Sequence, residues 1–304
     1  MVRPTYRRRR SCLSPFALAI LVVTFSCACL AASAFGLRQS IDELSRTNIL
    51  ILGLDRRPEQ GYAVRSDVLM LVTAYPPAPH LAVISIPRDL YVDIPRHGSG
   101  RINAAHFWGE SERERGGPAL AMETVASSFG VPVHGYVRLD FDGFRAIVDG
   151  VGGIDVVVEE PIVDDAYPTA DYGTMRIEIP AGLQHMDGET ALRYVRSRHG
   201  SSDFERAARQ QQVLIALAGR LADPGSWPRL PAVCWALMEN VDGSLGVRGL
   251  MQLAIAGLRV GPDGIEHYVI DRDMTRPWTT PTGGAVLLPR WEAIGPLVED
   301  VLGR

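Results

Sequence analysis

The chain contains no lysine: all 31 of its basic residues are arginine. That absence excludes a Walker-type phosphate loop and a Schiff-base lysine, since both need the ammonium or amine. Cysteine is also scarce. Cys12, Cys27 and Cys29 lie near the start, which leaves Cys234 alone in the remainder. A lone thiol makes neither an internal disulfide nor a thiolate metal cluster, so the fold rests on its apolar core. The seven histidines show no HxH or HExxH spacing, which argues against zinc. There is no GxSxG, so a hydrolase nucleophile elbow lacks support. Aromatic residues make up 7% of the chain, and Trp108, Trp227, Trp235 and Trp278 are expected mainly in the core.

Acidic residues are missing from the beginning. Arg3, Arg7, Arg8, Arg9 and Arg10 precede Asp42, the first acid, and the 27 residues from Ser11 to Leu37 carry no charge. About 20 apolar residues suffice to cross a bilayer, and a basic flank stays on the cytoplasmic side. The expected organisation is a basic cytoplasmic tail (1–10), one N-terminal transmembrane helix (11–37), a short stem (38–47) and an extracytoplasmic domain (48–304). The protein is then a single-pass protein of the cell membrane. The alternative is a cleaved signal peptide, with Ala32-Ser33-Ala34 as its processing site. Without those five arginines, 26 Arg face 35 acids, a net charge of −9. A protein that neutralises nucleic-acid phosphates leans the other way, so no nucleic-acid partner is expected and any cationic site is local.

Beyond the stem, apolar runs alternate with helical periodicity. NILILGLD, DVLMLVTAY, HLAVISI, GYVRLDF, IDVVV, EHYVI and AVLLP read as strands. PALAMETVASSFG, FDGFRAIVDGVGG, GETALRYVR, FERAARQQQVLIALAGRL, MQLAIAGL and RWEAIGPLVEDVL read as helices. Asp140 and Asp142 read as helix-cap residues, as do Asp187 and Ser201-Ser202-Asp203. Asp164–Arg176 and Pro224–Pro231 read as loops. Strands mixed with helices throughout imply an α/β domain whose sheet is covered on both faces.

Polar clusters gather at strand ends, where ligand sites of open α/β sheets form. Asp55 follows the first strand, Arg65-Ser66-Asp67 opens the second, and Arg88-Asp89 follows the third. The fourth cluster is YVRSRHGSSDFERAARQQQ, with Arg196, Arg198, Arg206 and Arg209. Arg196 and Arg198 share a side if that segment is extended. Arg206, Arg209 and Gln210 share a face of the helix that follows, within its first turns, where free N–H groups favour an anion. Arginine forks grip phosphate bidentately, and two carboxylates suffice for Mg²⁺, or Mn²⁺, when phosphate and water complete its shell. Asp55 and Asp67 are the candidate metal ligands. For any single Arg–Asp pair the alternative is an ordinary ion pair. His199 adjoins the cluster and reads as an exposed loop residue.

Seven stretches, in order, resemble the LytR–CpsA–Psr family of membrane-anchored ligases. They are NILILGLDRR, RSDVLMLV, LAVISIPRDLYVDIP, RINAAHFWGE, YVRLDFDGFRAIVDGVGGIDVVV, GLQHMDGETALRYVRSRH and DFERAARQQQVL, spanning about residues 48–215. The resemblance implies a three-layer α/β/α fold with a central mixed sheet. Its pocket would hold a polyprenyl (pyro)phosphate, with the tail in an apolar cavity. The family's metal-associated acids fall on Asp55 and Asp67. Its phosphate-binding positions fall on Arg88, Arg196, Arg198, Arg206 and Gln210, with Arg209 adjoining. Arg101 stands where lysine is common, which keeps the charge and changes its shape. Implied is an extracytoplasmic phosphotransferase that moves a glycopolymer from a polyprenyl pyrophosphate carrier to a peptidoglycan hydroxyl. Hydrolysis of the same lipid, non-catalytic binding of anionic lipid, and the transcriptional regulation suggested by the family's historic name are the alternatives.

Overall fold

The structure is a computed structural model that describes residues 45–56, 61–169, 173–197, 203–245 and 247–303. The expected tail and membrane anchor lie outside the described residues, as do most of the stem, Arg198, His199 and Ser201-Ser202. Among the described residues, no helix is long and apolar enough to cross a membrane.

The described residues begin with three strands, β1 (Thr47–Leu54), β2 (Ser66–Tyr75) and β3 (His80–Ser85). A small hairpin, β4 (Tyr91–Ile94) and β5 (Gly98–Arg101), leads into α1 (Ala104–Glu112) and α2 (Gly116–Phe129). Then come β6 (Gly135–Asp140), α3 (Phe141–Gly150) and β7 (Ile154–Val158). A second hairpin, β8 (Ile162–Pro168) with β9 (Thr174–Ile179), precedes β10 (Gly182–Met186), α4 (Gly188–Arg196) and the long α5 (Asp203–Ala222). The last part holds a 3₁₀ turn (Pro224–Arg229), α6 (Leu230–Asn240), β11 (Val241–Gly243), α7 (Val247–Val260) and β12 (Glu266–Val269). A third hairpin, β13 (Thr275–Thr279) with β14 (Ala285–Pro289), is followed by α8 (Trp291–Gly303).

The main sheet has the order β11-β6-β1-β2-β3-β12 and is mixed. β1 runs antiparallel to β2 and parallel to β6, and β3 runs parallel to β12. β1 reads as a continuous apolar run because it is central and covered on both faces, and Ile49, Leu50, Leu52 and Leu54 are all buried. Along β2 and β3 the side chains alternate between layers. Leu69, Leu71, Ala82 and Ile84 meet α2 and α8 on one face, whereas Met70, Val72, Leu81 and Val83 meet α7 and α5 on the other. α5 serves two cores, with Leu214 and Ala218 on the sheet and Val213 and Leu217 against α3, α4, β7 and β10. The architecture is three-layer α/β/α.

Two helix starts follow the sequence reading. Asp140 caps α3 by accepting from Gly143 N at 3.1 Å, and Asp187 caps α4 by accepting from Thr190 N at 2.8 Å. Three expectations are corrected. Within the expected loop Asp164–Arg176, residues 164–168 and 174–176 are strand and belong to the β8–β9 hairpin, held by Asp164, which accepts from Ser197 Oγ (3.0 Å) and Ala166 N (3.0 Å). Pro224–Pro231 is largely helical, because Asp223 caps the 3₁₀ turn and α6 follows at once. The four tryptophans expected in the core are at the surface, Trp108 at 43%, Trp227 at 54%, Trp235 at 63% and Trp278 at 38% exposure.

Candidate anion-binding site

The site forms at the end of β1 and the start of β2, which are neighbours. The register slips there: Gly53 faces Val68 and Leu54 faces Ser66, so Asp67 is an extra residue in a bulge. A bulge re-aims the side chain it inserts. Gly53 is needed opposite, since a Cβ on it would lie 2.9 Å from Val68 Cβ. Asp55 follows β1 directly and thus stands at the adjoining strand end.

Asp67 accepts from Arg88 Nη1 at 2.6 Å. Arg88 lies in the turn after β3, and a chain of ion pairs continues from it. Arg88 Nε is 3.6 Å from Asp89 Oδ2, and Arg101 Nε is 3.1 Å from Asp89 Oδ1. Arg101 also donates to the carbonyl of Ala285 at 2.8 Å. An open cleft brings together Asp67, Ser85, Arg88, Phe204, Arg206 and Gln210. Arg206 and Gln210 are four apart on the first turns of α5, hence on one face.

Arg209 has a different setting and is not among the residues lining that cleft. Its Nη2 donates to the Ser197 carbonyl at 2.7 Å, and its guanidinium lies 5.7 Å from the Tyr194 ring centre. Burial lowers its pKa. It joins the start of α5 to the end of α4. Arg196 is the last residue of α4, so it is helical and the condition of an extended segment is not met at that residue. It approaches Asp55 Oδ2 at 3.5 Å and stacks on Phe141 at 4.1 Å. Tyr167, on β8, accepts from Arg196 Nη1 at 3.3 Å, and burial raises that phenol's pKa. Arg65 is exposed just before β2.

Several supporting residues had no clear signal in the sequence. Gln211 is buried and donates to Ser85 Oγ (2.8 Å) and the Tyr268 carbonyl (2.7 Å), so it fixes α5 against β3 and β12. Gln212 accepts from Tyr194 OH at 2.6 Å. Three successive glutamines thus have three surroundings. The approach to β2 is held as well. Tyr62 lies between two guanidinium groups, Arg56 at 4.4 Å and Arg138 at 4.2 Å. Arg56 pairs with Asp140. Arg138, on β6, is 3% exposed and donates to Glu110 (3.0 Å), Asp242 (2.5 Å) and His106 Nε2 (3.3 Å). His106 Nδ1–H donates to the Val64 carbonyl at 2.8 Å, which leaves Nε2 as the acceptor. Its pKa is lowered first by burial and also by Arg138.

Among the described residues, no group of three or more His, Cys, Asp or Glu is placed to hold a metal. Asp55 and Asp67 offer hard oxygen ligands from two strand ends. That donor set fits a Mg²⁺-type ion whose remaining ligands are water and phosphate, and does not fit an all-protein cage.

The three-layer α/β/α domain thus gathers arginines and carboxylates at its strand ends. The LytR_cpsA_psr family model matches residues 33–281, and the chain belongs to that family. It is 33% identical over 219 residues to the polyisoprenyl-teichoic acid–peptidoglycan teichoic acid transferase TagU of Oceanobacillus iheyensis. It is 34% identical over 205 residues to the TagV transferase of that description from Bacillus subtilis. These alignments span 71% and 66% of this chain but 64% and 50% of the relatives' own lengths. The crystal structure of B. subtilis TagV superimposes with a TM-score of 0.69 at 27% identity, covering 85% of this chain and 98% of that one. A structure of TagT bound to LIIa-WTA gives a TM-score of 0.68 at 24% identity, covering 87% and 93%, and speaks for the fold.

Proposed function

We propose that the protein is an extracytoplasmic phosphotransferase that joins a glycopolymer to peptidoglycan. The donor is the glycopolymer on a polyprenyl pyrophosphate, and the acceptor is a sugar hydroxyl of peptidoglycan. The observation that carries this reading is the convergence of Asp67, Arg88, Arg206 and Gln210 on one cleft, with Asp55 and Arg196 at the adjoining strand end. The names of the relatives, polyisoprenyl-teichoic acid–peptidoglycan teichoic acid transferases, support it.

In the reaction, the acceptor oxygen bonds to the phosphorus that carries the glycopolymer. The bond from that phosphorus to the bridging oxygen breaks. Polyprenyl phosphate leaves with that oxygen, one proton is released, and a phosphodiester remains. Charge builds on the transferring group and the leaving phosphate, so fixed cations lower the barrier. Arg88 and Arg206 present forks to the phosphate oxygens from two elements, and Gln210 adds a neutral donor. Arg196, held by Phe141 and Tyr167, is preorganised beside Asp55. Arg198 extends this set by sequence, and Arg209 holds the α4–α5 connection in shape. A Mg²⁺ or Mn²⁺ ion at Asp55 and Asp67 supplies further charge neutralisation when bound. The uncharged 11–37 segment anchors the chain at the membrane that carries the lipid, with the N-terminus in the cytoplasm.

The test is transfer by the full-length chain from a defined polyprenyl-pyrophosphate glycan to isolated peptidoglycan. The expected product is a phosphodiester-linked conjugate that requires the acceptor. Equal phosphate release without acceptor would replace transfer with hydrolysis, and intact lipid after prolonged incubation with Mg²⁺ would leave only a binder.

A further inference from the structure

Trp278 is an exposed tryptophan fixed at the edge of the site. It lies on β13, where Arg276, Pro277, Trp278 and Thr279 all face solvent. Its indole meets the Tyr91 ring at 5.5 Å with an interplanar angle of 67°, an edge-to-face contact that leaves 38% of the residue exposed. The β13–β14 hairpin is held on the segment that carries the site's charges. Leu287 N donates to the Asp89 carbonyl at 3.0 Å, Leu90 bridges to Leu287, and Arg101 donates to Ala285. Tyr91 sits directly opposite Arg101 across β4 and β5, so the two side chains share a face. The chain of ion pairs from Asp67 through Arg88 and Asp89 therefore ends at Arg101, beside an aromatic shelf.

Such a shelf fits one chemistry. A pyranose ring has an apolar C–H face, which lies on an indole, and equatorial hydroxyls at its rim, which need hydrogen-bond partners. Arg101 offers donors at that rim and Asp89 offers acceptors. A prenyl chain would cover these charged groups without satisfying them, at a desolvation cost. We propose that Trp278, backed by Tyr91 and flanked by Arg101 and Asp89, is a saccharide subsite at the Arg101 end of the chain of ion pairs that starts in the cleft. The inference rests on the phosphotransfer reading for that position. The sugar belongs either to the donor glycan or to the peptidoglycan acceptor.

Calorimetry on the full-length protein in detergent separates these sources. The ligands are a soluble peptidoglycan disaccharide fragment, a glycan-bearing polyprenyl pyrophosphate, and the same lipid without sugar. Trp278→Ala is expected to weaken a sugar-bearing ligand about tenfold and the sugar-free lipid less than about twofold, while Trp278→Phe keeps most of the affinity. Loss on the disaccharide assigns the acceptor, and loss on the glycan lipid alone assigns the donor. Unchanged affinity for both sugar-bearing ligands in a Trp278→Ala protein that melts normally would overturn the subsite, as would equal loss on the sugar-free lipid. Failure of the wild type to bind either sugar-bearing ligand would also overturn it. If the wild type binds the disaccharide but neither lipid, and Trp278→Ala weakens that binding, the shelf stands and the phosphotransfer reading fails.

Discussion

Arg138 and Arg206 are both buried arginines close to the sheet, and of the two only Arg206 lines the cleft. Arg138 is enclosed by Glu110, Asp242 and His106 and covered by Tyr62, all belonging to the protein. Arg206 borders an open cleft that also contains Arg88, Asp67 and Gln210. Burial and charge alone therefore do not mark a functional arginine. A guanidinium closed in by fixed acids holds elements together, here β6 to α1 and β11. One that faces a cleft beside a second arginine has room for an anion from outside.

The largest effect is expected at the enclosed residue. Arg138→Met leaves Glu110 and Asp242 without their partner and should destabilise the fold by about 3–5 kcal/mol, read as a loss of melting temperature. An unchanged melting curve would remove the distinction between the two arginines. At the cleft, Asp67→Asn should cut transfer about a hundredfold, roughly 2.7 kcal/mol of transition-state stabilisation, with the melting temperature nearly kept. Wild-type rates in chelator, with metal removal confirmed, would sink the metal part of that role. Gln210→Ala should cost less than about tenfold, because a neutral amide contributes one weaker hydrogen bond of about 1 kcal/mol.

The smallest effect is a pH dependence at the enclosed network. His106 has its folded pKa lowered by burial, while an unfolded histidine takes its proton near pH ~6.5. Between those two values the unfolded chain binds more protons, so stability falls as pH drops below about 6.5 and is fully present above it. Melting temperatures from pH 7.5 to 5 should follow that course, with a shallower slope in His106→Asn. An identical slope in the variant would mean that other groups govern it.

How much of this was legible follows from the same contrast. β1, β2 and β3 announce themselves because central strands covered on both faces are apolar runs. The β8–β9 hairpin did not, since Asp164 and Asp165 interrupt its pattern. What offsets the buried Asp164 is a contact with Ser197, thirty-three residues on. Within the arginine stretch, helical spacing put Arg206 with Gln210 but also with Arg209, whose bond to the Ser197 carbonyl depends on how α4 and α5 meet. Helical spacing carries no information of that kind. The enclosed cluster was harder still. Arg56, Tyr62, His106, Glu110, Arg138 and Asp242 come from five separate stretches, and only the pairing of β6 with β1 and β11 assembles them. Tryptophans, read as core on hydrophobicity, sit at rims, because an amphipathic ring is at home where one side is apolar and the other wet.

The role proposed for Arg206 is that of a fork for phosphate. The direct measurement is the transfer rate of Arg206→Lys, taken with its melting temperature. A lysine keeps the charge and loses the bidentate geometry. The expected result is at least about a tenfold loss of rate, about 1.4 kcal/mol, with little change in melting. Full activity in a stably folded Arg206→Lys protein would contradict it.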